Sequence, residues 1–282
     1  MTDPIERALR YIGENPEGDL SVEALSQVAG LSKFHFHRQF RAVVGTTVGR
    51  VVSLLRLKQA SMALAFETDQ AIIEIAYAAG FSNPESFARA FRRTQGQSPS
   101  EFRRAPRWER WADAFRDAPT TQPMNHTVEI RHFPETRVAV LEHLGPPERL
   151  MATVGRFIAW RKSCRDSPFA SAMTFGVPWN DPREVGADAF RWDVCGSLSG
   201  PLSPNVHGVI EKVIPAGPCA VTMHRGSTDA LGATVDALYR DWLPSSGETL
   251  RDFPVFFRYV AMMPEVSEHE QQTEVHLPLA RC

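Results

Sequence analysis

With 282 residues, 43% of them hydrophobic, the chain has enough apolar material for two ordinary globular domains. No apolar run approaches membrane-spanning length, and the opening Met-Thr-Asp-Pro-Ile-Glu does not resemble a signal peptide, so a cytoplasmic protein without membrane contact is expected. The formal charge of −2 hides an asymmetry: residues 1–107 hold 14 basic against 11 acidic side chains, and the remainder 17 against 22. This separates a nucleic-acid half from a half with another task. The four cysteines are dispersed without a Cys-x-x-Cys pair, which argues against a zinc site or a disulfide framework, and no cofactor or metal is expected.

Ile5, Ala8, Leu9 and Ile12 recur at helical spacing and predict a first helix, ended by Asn15-Pro-Glu-Gly-Asp19; Ser21 then caps the next. From there to Gly96 the chain says the same thing twice. Gly30 and Gly80, like Ser32 and Ser82, lie fifty apart; Phe36 and Phe87, Phe40 and Phe91, Gly45 and Gly96 lie fifty-one apart, so one residue is inserted just after the second turn. Each copy reads as helix, glycine turn, helix. The glycine supplies a left-handed backbone angle, and the serine two residues later is expected to cap the second helix. The apolar residues flanking each turn meet one another, which leaves an outer face with Lys33, Phe34, His37, Arg38 and Arg41 in the first copy. In the second it carries Asn83, Glu85, Ser86, Arg89, Arg92 and Arg93. This is a helix-turn-helix pattern, whose second helix enters the DNA major groove. The stretch Thr47–Glu67 lacks Gly and Pro after Gly49 and predicts a connecting helix of about 30 Å, matched to reading helices one DNA turn apart.

Ser32-Lys-Phe-His-Phe-His-Arg-Gln-Phe40, Ile75-Ala-Tyr-Ala-Ala-Gly-Phe81 and Gly96-Gln-Ser-Pro-Ser-Glu-Phe-Arg103 resemble the DNA-binding domain of AraC/XylS-type transcription regulators over roughly residues 3–105. The resemblance implies seven helices and double-stranded DNA as partner. It puts Phe34, His37 and Arg38 towards base edges and nearby phosphates, and Arg89 at the second reading position with Glu85 and Ser86 beside it. Arginine reads guanine and glutamate accepts from cytosine. Arg41, Arg92 and Arg93 are expected to hold phosphates. His35 is open between an inward and an outward position.

Ser98-Pro99 predicts a short helix ending near Arg104, and Trp108, Trp111, Ala112 and Phe115 form one helical stripe that should dock on a domain. The composition of residues 117–123 is that of a linker, so the expected organisation is a DNA-binding domain at 1–107, a linker at 108–123 and a second domain at 124–282. Beyond it, alternating stretches read as strands at 127–132, 137–143, 172–177, 190–196, 208–213, 219–224, 256–261 and 273–277. Helices are predicted over 150–160 and 231–242. This half repeats as well: Pro134 and Pro215, Ala139 and Ala220, His143 and His224, Gly145 and Gly226 are each eighty-one apart. Each unit reads as a hairpin-like pair, a helix and two further strands. Two of them predict a pseudo-twofold α+β domain with two helices on an antiparallel sheet, and a groove between the halves as ligand site.

Phe175-Gly-Val-Pro-Trp-Asn-Asp-Pro182, Arg191-Trp-Asp-Val-Cys195, Ala220-Val-Thr-Met-His-Arg-Gly226 and Thr273-Glu-Val-His-Leu-Pro-Leu279 are similar to GyrI-like effector-binding domains, also found behind AraC-type domains in Rob-type regulators. The resemblance implies a small-molecule effector, hydrophobic and often cationic, in an aromatic pocket with a carboxylate. Glu274, on one strand face with His276, is the candidate carboxylate; Phe175, Trp179, Trp192, Met223 and Tyr259 are candidate lining. Phe257 stands where relatives commonly carry an acid, which points to a less charged ligand. His143 and His224 lack companions at metal-ligand spacing and are expected to be structural. The whole reads as a transcription regulator, not an enzyme, with two alternatives for its C-terminal half: a hydrolase using Glu274, or a module for a protein partner such as RNA polymerase. One chain already carries two reading helices, which leaves the oligomeric state open.

Overall fold

The computed structural model describes residues 4–15, 18–115, 127–183 and 185–280. The chain forms two compact units. One comprises residues 1–122 together with 262–271, the other 123–261 and 272–282. The first therefore takes a ten-residue piece from deep within the C-terminal half. The linker composition at 117–123 falls outside the described residues.

The first unit begins with α1 (Pro4–Glu14) and two helix-turn-helix pairs, α2 (Val22–Ala29) with α3 (Lys33–Val44) and α5 (Ile72–Ala78) with α6 (Pro84–Gln95). They are joined by α4 (Val48–Phe66), whose 19 residues make a rod of about 28 Å. Gly30 and Gly80 both take the left-handed angle, with φ of 69° and 73°, where a side chain would be strained. Ser21, Ser32 and Thr47 accept backbone N–H groups at their helix starts, each worth about 1 kcal/mol. The expected cap at Ser82 is not used. Asn83 accepts the Ser86 N–H at 2.8 Å, and Pro84 takes the first helical position, so the inserted residue moves the helix start one place on.

Phe36 and Phe40 close the first pair over Ile5, Leu25 and Val51. The second pair continues into α7 (Pro99–Arg104) and α8 (Trp108–Phe115) through a ladder of ring contacts: Phe87, Phe91, Phe102, Trp108, Trp111, Phe115, each 5.3–5.7 Å from the next. Trp111 donates its indole N–H to Ser61 on α4 at 2.6 Å. Residues 108–115 are thus an eighth helix of this unit and not part of a linker. The added segment 262–271 contributes Glu268, which pairs with the buried Lys58 of α4 at 2.7 Å.

The second unit holds β1 (Val128–Phe133), β2 (Thr136–Leu144), α9 (Leu150–Ser163), β3 (Thr174–Pro178) and β4 (Arg191–Ser197). Its second half repeats the order with β5 (Ile210–Ile214), β6 (Gly217–Arg225), α10 (Leu231–Ala237), β7 (Phe256–Ala261) and β8 (Gln272–Pro278). After α10 the chain makes a π-helical turn, Leu238–Trp242, and one more helical turn, Leu243–Ser246. The helix therefore runs past Pro244, which falls in its last turn just after the π-helical turn, and ends at Gly247, where φ is 75°.

One antiparallel sheet takes all eight strands in the order β1-β6-β8-β7-β3-β4-β2-β5. The hairpins expected from the sequence do not form. β1 leaves its neighbour in sequence and pairs with β6, while β5 pairs with β2, so the two halves exchange their first strands. This dictates the shape. β1 and β2 stand six strand spacings apart, about 29 Å along a flat sheet. Only Pro134 and Glu135 connect them, a reach of about 11 Å. The same holds for β5 and β6. The sheet must curl until its ends approach, and a single apolar cluster inside the curl accordingly gathers Phe133, Val138, Phe175, Cys195, Ile214 and Phe256 from six strands.

The offset of eighty-one governs the ladders. Gly176 pairs directly with Phe257, its own counterpart, so the pseudo-twofold axis passes through that pair between β3 and β7. On the convex face α9 packs over Ala139, Leu141 and Val194, and α10 over Ala220, Val275 and Leu277.

Candidate DNA interface and effector site

The outer faces of the reading helices match the sequence pattern. On α3, Lys33, His37, Arg38 and Arg41 are exposed around the buried Phe36 and Phe40, and His35 is exposed rather than packed inward. Phe34 lies in α3 with its side chain outside the described residues. Lys33 is ion-paired to Glu23 of the preceding helix. On α6, Glu85, Arg89, Arg92 and Arg93 are exposed and Ser86 half-buried; Arg89 donates to the Ser86 hydroxyl at 3.1 Å. One glutamate, one serine and one arginine thus sit together within the first turns of α6. That arrangement can discriminate base edges, with Arg92 and Arg93 a turn further on.

In the C-terminal unit the structure splits the candidate ligand residues between the two faces of the sheet. Register places Phe175, Met223, Glu274 and His276 on the concave face. Trp179 shares that side: its ring lies 6.0 Å from Phe253, which packs on the inner cluster, and 5.6 Å from Lys212 Nζ. Trp192 and Tyr259 lie on the convex face with the helices.

Glu274 is nearly buried and already engaged. It accepts from Arg131 Nη2 at 3.0 Å, Arg258 Nη1 at 3.2 Å and His276 Nε2 at 3.2 Å. The hydrogen bond from His276, and then that from Arg131, outweigh burial and hold its carboxyl at about 2. The His276 ring stacks on Phe256 with centroids 4.7 Å apart. This arrangement has a twin. Asp193, eighty-one residues before Glu274, accepts from Lys212, eighty-one after Arg131, at 2.7 Å. In both halves a buried carboxylate in the last strand holds a cation on the exchanged edge region: Arg131 on β1 and Lys212 on β5. The pair is a clasp that fastens each exchanged strand to the other half. The spacing of eighty-one relates Arg131 to Lys212 and Glu274 to Asp193 and so carries this symmetry in the sequence; Arg258, whose counterpart is Val177, has no such signal.

His143 and His224 are likewise matched. Nδ1 of each meets a threonine hydroxyl, Thr153 at 2.9 Å and Thr234 at 2.8 Å. Nε2 faces carbonyls, of Gly145 and Ser227 respectively, so Nε2 carries the proton and Nδ1 accepts. With both nitrogens engaged, these rings tie β2 to α9 and β6 to α10. Among the described residues no group of His, Cys, Asp or Glu is arranged to hold a metal.

The convex face at the axis is different in kind. Trp192 packs against both helix-capped clusters and stacks on Phe257, with centroids 5.6 Å apart. A Cβ built on Gly176 would fall 2.8 Å from the Tyr259 hydroxyl and 3.1 Å from Trp192 Nε1, so the two polar tips converge above a residue that must be glycine to leave them room. Both rings are only partly buried. This is an aromatic floor between two helices, where two symmetric halves meet.

A helical DNA-reading unit and a pseudo-twofold unit with an aromatic groove define a DNA-binding regulator that carries a small-molecule-binding domain. The chain belongs to the GyrI-like small-molecule-binding family, whose model matches residues 126–280; a helix-turn-helix domain model matches residues 25–105. It is 42% identical over 153 residues to a probable transcriptional regulator of Escherichia coli K12, YgiV, covering 54% of this chain and 96% of that one. Its N-terminal part is 30% identical over 99 residues to the regulatory protein SoxS of Salmonella typhimurium, covering 35% of this chain and 92% of that one. Among solved structures, an EcmrR–DNA complex is similar across 89% of this chain and 83% of that one, at 16% identity and a TM-score of 0.46.

Proposed function

We propose that the convex groove at the pseudo-twofold axis is the effector site of a cytoplasmic transcription regulator, and that its occupancy changes the affinity of the N-terminal unit for DNA. The observation that carries this reading is the convergence of Trp192 and Tyr259, half-buried, over Gly176 between α9 and α10. The coupling is linkage: an effector that prefers one DNA-competent state shifts the population by its differential affinity. The chain supplies a route, since Tyr259 stands three residues before the segment 262–271 that folds with the DNA-binding unit. The test is operator affinity with and without saturating effector, in the native chain and in Trp192→Ala. Equal affinities in the native chain refute the coupling.

The hydrolase alternative loses support. A carboxyl held at about 2 and shared by three donors is far from the pKa near 7 that suits a general base. A protein partner has support elsewhere: Ile73 and Tyr77, one turn apart on α5, are 47% and 54% exposed. If they meet RNA polymerase, Ile73→Ser with Tyr77→Ser lowers transcription activation while operator affinity holds; unchanged activation rejects it.

A further inference from the structure

The chemistry of the ligand, given that the convex groove is the effector site as proposed above, follows from what lines it. The strand positions beside the axis on the convex face are Thr174, Gly176, Trp192, Phe257, Tyr259 and Thr273, and none carries a charge. The two buried carboxylates of the central strands, Asp193 and Glu274, project from the opposite face and are engaged by Lys212, Arg131 and Arg258. On α10, Asp236 is taken by a two-point contact with Arg183.

What the groove does offer is donors. Tyr259 O–H and Trp192 Nε1–H have no hydrogen-bond partner among the described residues, and both tips lie about 3 Å from where a Cβ on Gly176 would stand. Burial pushes the Tyr259 phenol up, which keeps it protonated and donating. Thr273, paired across from Tyr259 on the same face, is fully buried with a hydroxyl that has no partner either. The Tyr259 and Trp192 tips still reach solvent, so a ligand acceptor placed between them replaces water and is held by two donors at once. A cation brings none and meets the positive ends of both dipoles; its attraction to the ring faces, about 0.5–1 kcal/mol at a half-exposed site, is the opposing effect.

We propose that the groove takes an uncharged, planar aromatic molecule that presents a carbonyl-type oxygen to Trp192 Nε1–H and Tyr259 O–H.

The experiment is titration calorimetry of the full chain with three planar tricyclic ligands: acridone, neutral with a carbonyl; 10-methylacridinium, a cation; and carbazole, neutral with no acceptor oxygen. Acridone is expected to bind tightest. Tyr259→Phe, which keeps the ring, should weaken acridone about 2- to 10-fold, the worth of one hydrogen bond, and leave carbazole unchanged. Tighter binding of 10-methylacridinium, or an equal loss for acridone and carbazole in Tyr259→Phe, overturns the ligand class while keeping the groove. Binding of all three untouched by Trp192→Ala, or binding of none, overturns the groove reading and the ligand class together.

Discussion

Replacing Glu274 by Gln separates a clasp from a ligand carboxylate. The carboxyl is held at about 2 against an ordinary 4.5, and a shift of that size corresponds to about 3 kcal/mol. Arg131 and Arg258 keep side-chain exposures of 47% and 39%, so water offsets part of this. The expected loss at pH 7 is about 2 kcal/mol, in line with charge-assisted hydrogen bonds. The sign follows from linkage. A depressed carboxyl stabilises the fold above its unfolded value near 4.5, and that contribution disappears as pH falls towards 2. Urea unfolding of the native chain and Glu274→Gln at pH 7 and pH 3.5 should therefore give a gap that narrows at the lower pH. Arg131→Met should cost less in the Glu274→Gln background than alone, the mark of a coupled pair. If Glu274→Gln leaves stability at pH 7 within about 0.5 kcal/mol and instead abolishes ligand binding, the clasp assignment is wrong.

The twin makes its own prediction: Asp193→Asn should destabilise the fold by a similar amount, about 2 kcal/mol, without altering operator affinity in the absence of effector. In the first unit, Glu268→Ala removes a charge-assisted hydrogen bond to the buried Lys58 and should cost about 1–3 kcal/mol in urea unfolding. Arg89→Ala should weaken operator binding by about 1–3 kcal/mol and relax the preference at one base pair, read by gel shift against substituted operators. Arg92→Ala should weaken all sequences alike and lower the salt dependence by about one counterion.

Helical elements were legible because their signals are local. Spacing of apolar residues, Ser98-Pro99 and the two glycine turns placed the DNA-reading helices within a residue or two. The cap at Asn83 was missed since the choice between adjacent Ser82 and Asn83 turns on where Pro84 can sit. Strand positions in the second half were equally local and equally readable. Their partners were not: a two-residue link such as Pro134-Glu135 reads as a hairpin, and only the ladders reveal that β1 crosses to β6. That one error of pairing hid the role of Glu274, because its cation, Arg131, arrives on the exchanged strand. Alternation did place Glu274 and His276 together and opposite Val275, as observed. Alternation does not tell the concave face from the convex one, and so Trp192 and Tyr259 prove to lie opposite Phe175, Met223, Glu274 and His276. The segment 262–271 gave no sequence sign that it folds with the first unit, since Lys58 and Glu268 are 210 residues apart.

The axis through Gly176 and Phe257 has a consequence for how a guest molecule is held. Identical halves would offer it two interchangeable ends. Here each related pair joins a large ring to a small partner: Phe257 with Gly176, Tyr259 with Pro178, Trp192 with Thr273. The halves therefore differ on both sides of the axis, with Trp192 on β4 in one half and Phe257 and Tyr259 on β7 in the other. Duplication built a twofold frame; divergence at these three pairs removed its exact symmetry, so the two ends of the axis region are no longer interchangeable.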